Sequence, residues 1–532
     1  MPLDTYARNA AAQLTGREKW PASSGPEAYA GKHPMELLFD LEFRGQELVH
    51  KPLILIEAAA FKKQVGLDDK QRFFSCVQIG GCKGIEDLLV AYNQAKAANS
   101  KAQATREQRE ALELQNALDR VSSFVDGAPL AIVPVPGGKP FLRAGVRGGD
   151  PGTEKVSAAL AAFGQAYIAN QNIDAAADNL VRAIQGAGTL DESAARAVSL
   201  ELRYNKLQPW LVASILYTLA LIIFGVSRLA MRKLLTAAGA IVTLAGVGVH
   251  IAGIWMRIAI LGRAPVSNTY EALLWMGLVA FAVGGIAQLV NRKAWYFVAG
   301  LGVALLSVLF ANLVPLESQT NSLPAVLRSN YWLIVHVLTI TASYGVLAVA
   351  SILGHVYLVK EILLARRGAA VEDARLSHPL IAQTYRSMQL GLVLLTAGTI
   401  LGGVWAADSW GRFWGWDPKE TWALISIVVY FIILHARYLR WLRDFGMAAS
   451  SVLSFASIVW TFYGVNYLMA AGLHSYGFGA GGGTWVGVWA VAELLFVGVC
   501  WLKYRSMVAA EAAAEAAADA TVTPSSASVQ RA

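Results

Sequence analysis

Hydrophobic and polar positions divide this chain into two unlike parts. Up to about residue 205, apolar residues come in short runs broken by charge; from 209 to 504 they come in long blocks between short polar loops. A helix needs about 20 apolar residues to cross a bilayer. Nine blocks reach that length, near 209–227, 234–261, 271–290, 294–313, 331–360, 386–407, 419–439, 446–470 and 484–503. Two of them are long enough to tilt or to project beyond the lipid. The pattern predicts a polytopic all-α membrane protein of about nine transmembrane helices over 206–507, preceded by a mainly α soluble domain over 1–205. Within that domain, "SKAQATREQREALELQNALDRVSSFV" predicts an exposed helix and "TEKVSAALAAFGQAYIANQNIDAAADNLVRAIQ" a second, more amphipathic one. "VDGAPLAIVPVPGGKPF" between them has the composition of strands and turns. From Ala509 the chain is Ala/Glu-rich and then Ser/Thr-rich, which predicts a fraying helix and a disordered tail over 508–532.

Composition agrees: 55% of residues are hydrophobic and only 15% charged, which excludes an ordinary soluble protein. The net charge of +8 points to topology, not nucleic acid, because many Lys and Arg cluster in short loops. Arg228, Arg232 and Lys233 follow the first span, Arg292 and Lys293 the third, Lys360, Arg366 and Arg367 the fifth, Arg437, Arg440 and Arg443 the seventh, and Lys503 and Arg505 the ninth. The positive-inside rule makes these five loops and the C-terminus cytoplasmic, so residues 1–205 lie outside. Yet "MPLDTYARNAAAQLTG" has neither a basic n-region nor an apolar h-region. The expectation is an upstream membrane segment beyond this chain; the alternative is a cytoplasmic domain and a span count off by one. Cys76 and Cys82 flank "VQIGG" and form either a small-loop disulfide or two unpaired thiols.

The chemistry concentrates on the outer side. "SWGRFWGWDPKETW", Ser409–Trp422, packs four tryptophans and an Asp-Pro between two spans. Asp417-Pro418 is good helix-start chemistry, but a cap does not explain why Trp410, Trp414 and Trp416 precede it. Of eight histidines, His336 stands about five residues into the fifth span and His474 in the outer loop after the eighth, so two imidazoles share a membrane face with the tryptophan loop. Neutral imidazole is a standard axial ligand for haem iron, and indoles offer stacking area to a porphyrin. Lys419 and Arg412 are suited to neutralise propionates, with Asp417 holding a neighbouring group. His435 lies deep in the seventh span, toward the cytoplasm, and His250 inside the second. Ionisable groups at such depth are costly and often functional. For each, the bland reading is a neutral ring bonded to a carbonyl.

"WGRFWGWDPKETWALI", followed by "LHAR" at His435–Arg437, resembles the WWD signature of the CcsA (ResC) proteins, which belong to system II cytochrome c synthases. "GRAPVSNTYEALLW", Gly262–Trp275, resembles that family's outer-loop signature, and the likeness covers about residues 210–505. The resemblance implies haem b delivered to the outer face of the bacterial cytoplasmic membrane and attached to apocytochrome c at CxxCH motifs. By position, His336 and His474 match the outer axial ligands, and Trp405, Trp410, Trp414, Trp416 and Trp422 fall in or beside the WWD loop at 405–422. His435 matches an inner haem ligand whose partner comes from a CcsB (ResB)-like subunit; His250 is a possible substitute. A thiol-reducing partner and membrane lipid are further expected partners. No residue is dedicated to bond formation. The resemblance therefore predicts a cytochrome c haem lyase acting with a CcsB-like subunit, the alternative being a haem transporter or chaperone that leaves ligation to a partner.

Overall fold

The computed structural model describes residues 2–99, 104–125, 130–133, 142–143, 151–188, 192–227, 231–264, 266, 268–313, 331–363, 378–469 and 483–522. The chain falls into two compact units, 1–207 and 208–532.

The first unit is mainly helical: α1 (Leu3–Thr15), α2 (Pro34–Leu48), α3 (Ala59–Val65), α4 (Cys76–Gly80), α5 (Lys83–Ala98), α6 (Arg106–Val125), α7 (Pro151–Ala169), α8 (Ile173–Ala187) and α9 (Glu192–Leu207). β1 (Ile54–Leu55) pairs antiparallel with β2 (Phe73–Phe74), and β3 (Ala131–Val133) with β4 (Leu142–Arg143). The second helix shows why segments start where they do. The His33 ring accepts the Met35 N–H, Pro34 occupies the first turn, and Glu36 reaches back to the His33 N–H. Leu14, Tyr29, Leu37, Leu38, Leu41, Ile54 and Phe74 form its apolar core.

Two expectations are corrected here. The α6 segment is not an exposed helix. Ala111, Leu114, Ala117, Val121 and Phe124 recur on one face and are buried in this core. The predicted single amphipathic helix is two, α7 and α8, parted where Asn170 and Asn172 take left-handed φ values of 52° and 53°. Cys76 and Cys82 are free thiols, and the Cys82 Sγ lies 3.1 Å from the Val65 carbonyl.

The second unit contains α10 (Pro209–Val226), α11 (Arg232–Leu261), α12 (Thr269–Asn291), α13 (Ala294–Leu313), α14 (Tyr331–Tyr357), α15 (Pro379–Trp410), α16 (Pro418–Tyr438), α17 (Asp444–Val459) and α18 (Gly483–Val522). Among the described residues nine helical stretches are long and apolar enough to cross a membrane, and the chain is an integral membrane protein. The Ala/Glu-rich segment after Ala509 remains helical to Val522, as alanine's propensity favours. Two helices continue in π winding, α14 over Leu358–Leu363 and α17 over Trp460–Met469.

In this unit α14 is the hub, packing against α12, α13, α15 and α17. Most of the large apolar residues exposed here are Leu, Ile and Val, while Thr243, Ser343, Ser351, Thr384, Ser426 and Ser451 are buried. Lipid is as apolar as leucine, so helices associate through close packing and internal hydrogen bonds. Many of these hydroxyls bond the carbonyl three or four residues back, as Thr384 does to Leu380 at 2.9 Å, which satisfies them without a partner helix.

Candidate functional site

The N-terminal ends of α12, α14 and α16, the C-terminal end of α15, the tryptophan loop and the π-helical segment after α17 meet around one cavity of about 160 Å³. With spans alternating up and down, these ends fall on the same side. The outer-loop signature contributes Val266, Asn268, Thr269 and Ala272; α14 gives Leu333, His336, Val337, Ile340, Thr341 and Tyr344. From α15 come Thr399, Gly402, Gly403 and Trp405; from the loop and α16 come Phe413, Trp414, Lys419, Glu420 and Ala423; the π segment supplies Thr461, Phe462, Asn466 and Tyr467.

His336 is held by α15. Its Nδ1 lies 2.7 Å from the Gly398 carbonyl, which can only accept, so Nδ1 carries the proton and in the neutral ring Nε2 holds the lone pair. This is the tautomer of a metal-binding imidazole steadied by a backbone carbonyl. Glycine is required twice. A Cβ on Gly398 would stand 2.8 Å from the Ile340 Cα, and one on Gly402 would stand 2.7 Å from the His336 ring carbon. Trp405, 1% exposed, lies parallel to the His336 ring with centroids 6.4 Å apart.

The predicted tryptophans separate by role. Trp405 and Trp414 line the cavity. Trp410 packs edge-on behind Trp405 at 4.7 Å, and Trp416, 69% exposed, meets Trp414 edge-on at 5.9 Å with its own backbone at φ +56°. Trp422 packs against Trp460 at 5.6 Å. The loop is closed by a capping box: the Asp417 carboxylate accepts the Lys419 N–H, while Glu420 accepts the Gly415 and Asp417 N–H groups at 2.7 and 3.1 Å. Arg412 faces Glu420 at 3.8 Å, beyond hydrogen-bond reach, and does not line the cavity. Lys419 does line it, bonding the Asn466 side chain at 2.7 Å. His474 lies outside the described residues.

The deeper histidines differ. His250 is fully buried, with Nε2 3.0 Å from the Leu274 carbonyl and Nδ1 3.1 Å from the Tyr217 hydroxyl. The carbonyl forces the proton onto Nε2, so Nδ1 accepts from Tyr217 and neither nitrogen is left for iron. For His250 this geometry is that of the bland reading, a neutral ring bonded to a carbonyl. His435 is exposed on α16, its Nδ1 donating to the Phe431 carbonyl at 2.8 Å and its ring against Phe431 at 4.0 Å.

Sequence reasoning missed Asn268, Thr269, Tyr344, Phe413, Thr461, Phe462, Asn466 and Tyr467. Asn466, an amide inside an apolar run, was a usable signal. The buried cluster beside Asn268 was another: Glu271 pairs with Arg257 at 2.9 Å and Arg263 at 3.0 Å.

Fold and site define a class: a polytopic helical membrane protein whose helix ends enclose an aromatic, imidazole-bearing cavity. Residues 266–474 match the family described as Cytochrome C assembly protein. The chain is 36% identical over 251 residues to Cytochrome c biogenesis protein CcsA of Prochlorococcus marinus (strain NATL1A), covering 41% of this chain and 77% of that one. It is 32% identical over 270 residues to CcsA of Gloeobacter violaceus, covering 41% and 79%. It is 39% identical over 225 residues to Protein NrfI of Wolinella succinogenes, covering 42% of this chain but spanning only 24% of that protein. A solved structure, Cytochrome c Heme Lyase CcmF, is loosely similar, with a TM-score of 0.34, 13% identity and 56% of each chain covered. The chain belongs to the CcsA-type cytochrome c biogenesis family, whose members serve cytochrome c maturation.

Proposed function

We propose that this protein presents haem b at the extracytoplasmic face of the membrane for covalent attachment to apocytochrome c. His336 is one axial ligand, its Nδ1 proton committed to Gly398; His474 is the second. Trp405 and Trp414 form the apolar bed, and Lys419 neutralises a propionate. The observation that carries this reading is His336, whose Nδ1 proton is committed to the Gly398 carbonyl, on the wall of an aromatic cavity that Lys419 also lines. The positive-inside pattern supports the outward placement of this rim and of residues 1–205.

Thioether formation adds each substrate S–H across a haem vinyl group, sulfur to one carbon and hydrogen to the other, with no net redox change. No side chain need act as a nucleophile. The chain's residues orient the vinyl edges against the incoming CxxCH and keep water from the iron, raising effective concentration. His435, facing outward from α16, is proposed as an inner-site ligand shared with a CcsB-like subunit. A thiol reductant keeps the substrate cysteines reduced.

The test is an absorption spectrum of the purified protein. A b-type spectrum is expected, lost in His336→Ala and in His474→Ala and restored by added imidazole; an unchanged spectrum in both variants would sink the ligand assignment. Co-expression with an apocytochrome c in a host without its own ligation system separates synthase from haem chaperone: covalent haem on the substrate means synthase.

A further inference from the structure

The segment after α17 carries a feature the haem reading does not require. In an α-helix, residues five apart differ by about 140° around the axis and face different ways. Thr461 and Asn466, and Phe462 and Tyr467, are such pairs, yet all four line the cavity. They share a wall because Trp460–Met469 winds as a π-helix, in which residues five apart stack. Such turns occur often at functional sites.

One consequence is chemically specific. The Asn466 Nδ2 lies 3.0 Å from the Phe462 carbonyl, which can only accept, so the amide orientation is fixed and Oδ1 is the atom facing Lys419 at 2.7 Å. An amide oxygen orients an ammonium without neutralising it, whereas a carboxylate would cancel its charge. Lys419 has further N–H donors beside a cavity lined mainly by apolar and aromatic groups, with Glu420 the carboxylate on its wall. We propose that Asn466, placed by the π winding, is a positioning residue that aims Lys419 at a ligand carboxylate and so makes the cavity selective for porphyrins bearing free acids. This rests on the haem reading of the cavity and names what sets its preference.

The experiment measures equilibrium binding of iron protoporphyrin IX and of its dimethyl ester to the purified full-length protein. The ester keeps the ring, iron and vinyls but has no anionic group. The native protein is expected to favour the free acid by about tenfold, the scale of one charge-assisted hydrogen bond. Lys419→Met should bring the ratio to near unity. Asn466→Ala should lower the ratio while affinity for the ester stays within about threefold. Asn466→Asp, of nearly the same size, should abolish the preference by pairing Lys419 internally, and it guards against a folding defect in the alanine variant. Adding Asn466→Ala to Lys419→Met should change the ratio no further. A merely structural role would weaken both ligands alike and leave the ratio intact, and that result overturns the proposal. If neither porphyrin binds the native protein, the haem reading itself falls, a distinct failure.

Discussion

His250 and His336 sit in the same helical bundle, and each gives one N–H to a backbone carbonyl. At His250 the second nitrogen accepts a hydrogen bond from the Tyr217 hydroxyl, closing the pocket on itself. At His336 the ring borders a cavity rimmed by Trp405, Trp414 and Lys419, and Gly402 on α15 stands where any side chain would strike it. In a low-dielectric interior a polar group without a partner is expensive, and at His250 the bundle meets that demand with two bonds of its own. Residue type does not tell the two apart; the local hydrogen bonds do, together with burial that is complete at His250 and partial at His336.

Four substitutions test this contrast. The largest effect is expected for Glu271→Ala beside the cavity, which strands Arg257, 1% exposed, without its carboxylate. Losing one member of a buried pair costs roughly 3–5 kcal/mol, and thermal unfolding of the detergent-solubilised protein should show it. Next comes Gly402→Val, which drives methyl groups into the His336 ring and costs about 1–3 kcal/mol as overpacking. Its diagnostic readout is the spectrum: haem should be lost although the imidazole is still present. His250→Phe leaves the Tyr217 hydroxyl and the Leu274 carbonyl without their partner, about 1–3 kcal/mol, yet the haem spectrum should be unchanged. A spectral change in that variant would return His250 to the ligand set. Smallest is Arg412→Gln. Its 3.8 Å approach to Glu420 is loose and the side chain is partly exposed, so stability should move by less than about 1 kcal/mol and haem affinity little.

All nine long helices were legible, because a bilayer imposes length and composition on each span independently of its neighbours. The Asp417 cap was legible too, since capping involves residues three apart in sequence. Readings failed where a side chain's surroundings decide. The α6 segment carries a charged face that reads as exposed, yet its five buried positions find partners only in the assembled core. The tryptophans of the loop look equivalent in a row, but two line the cavity, one backs it, one points away and one packs on Trp460.

By itself, then, the sequence determined the spans, their alternation, the helix starts and the crowding of aromatic residues at one rim. Each of these follows from forces acting within about two turns of chain or between one segment and its solvent. Only the tertiary structure decided which imidazole borders the cavity, which glycines make room for it, and that π winding brings Asn466 to Lys419. Those outcomes depend on atoms contributed by segments tens of residues apart, and no local pattern encodes the distance between them.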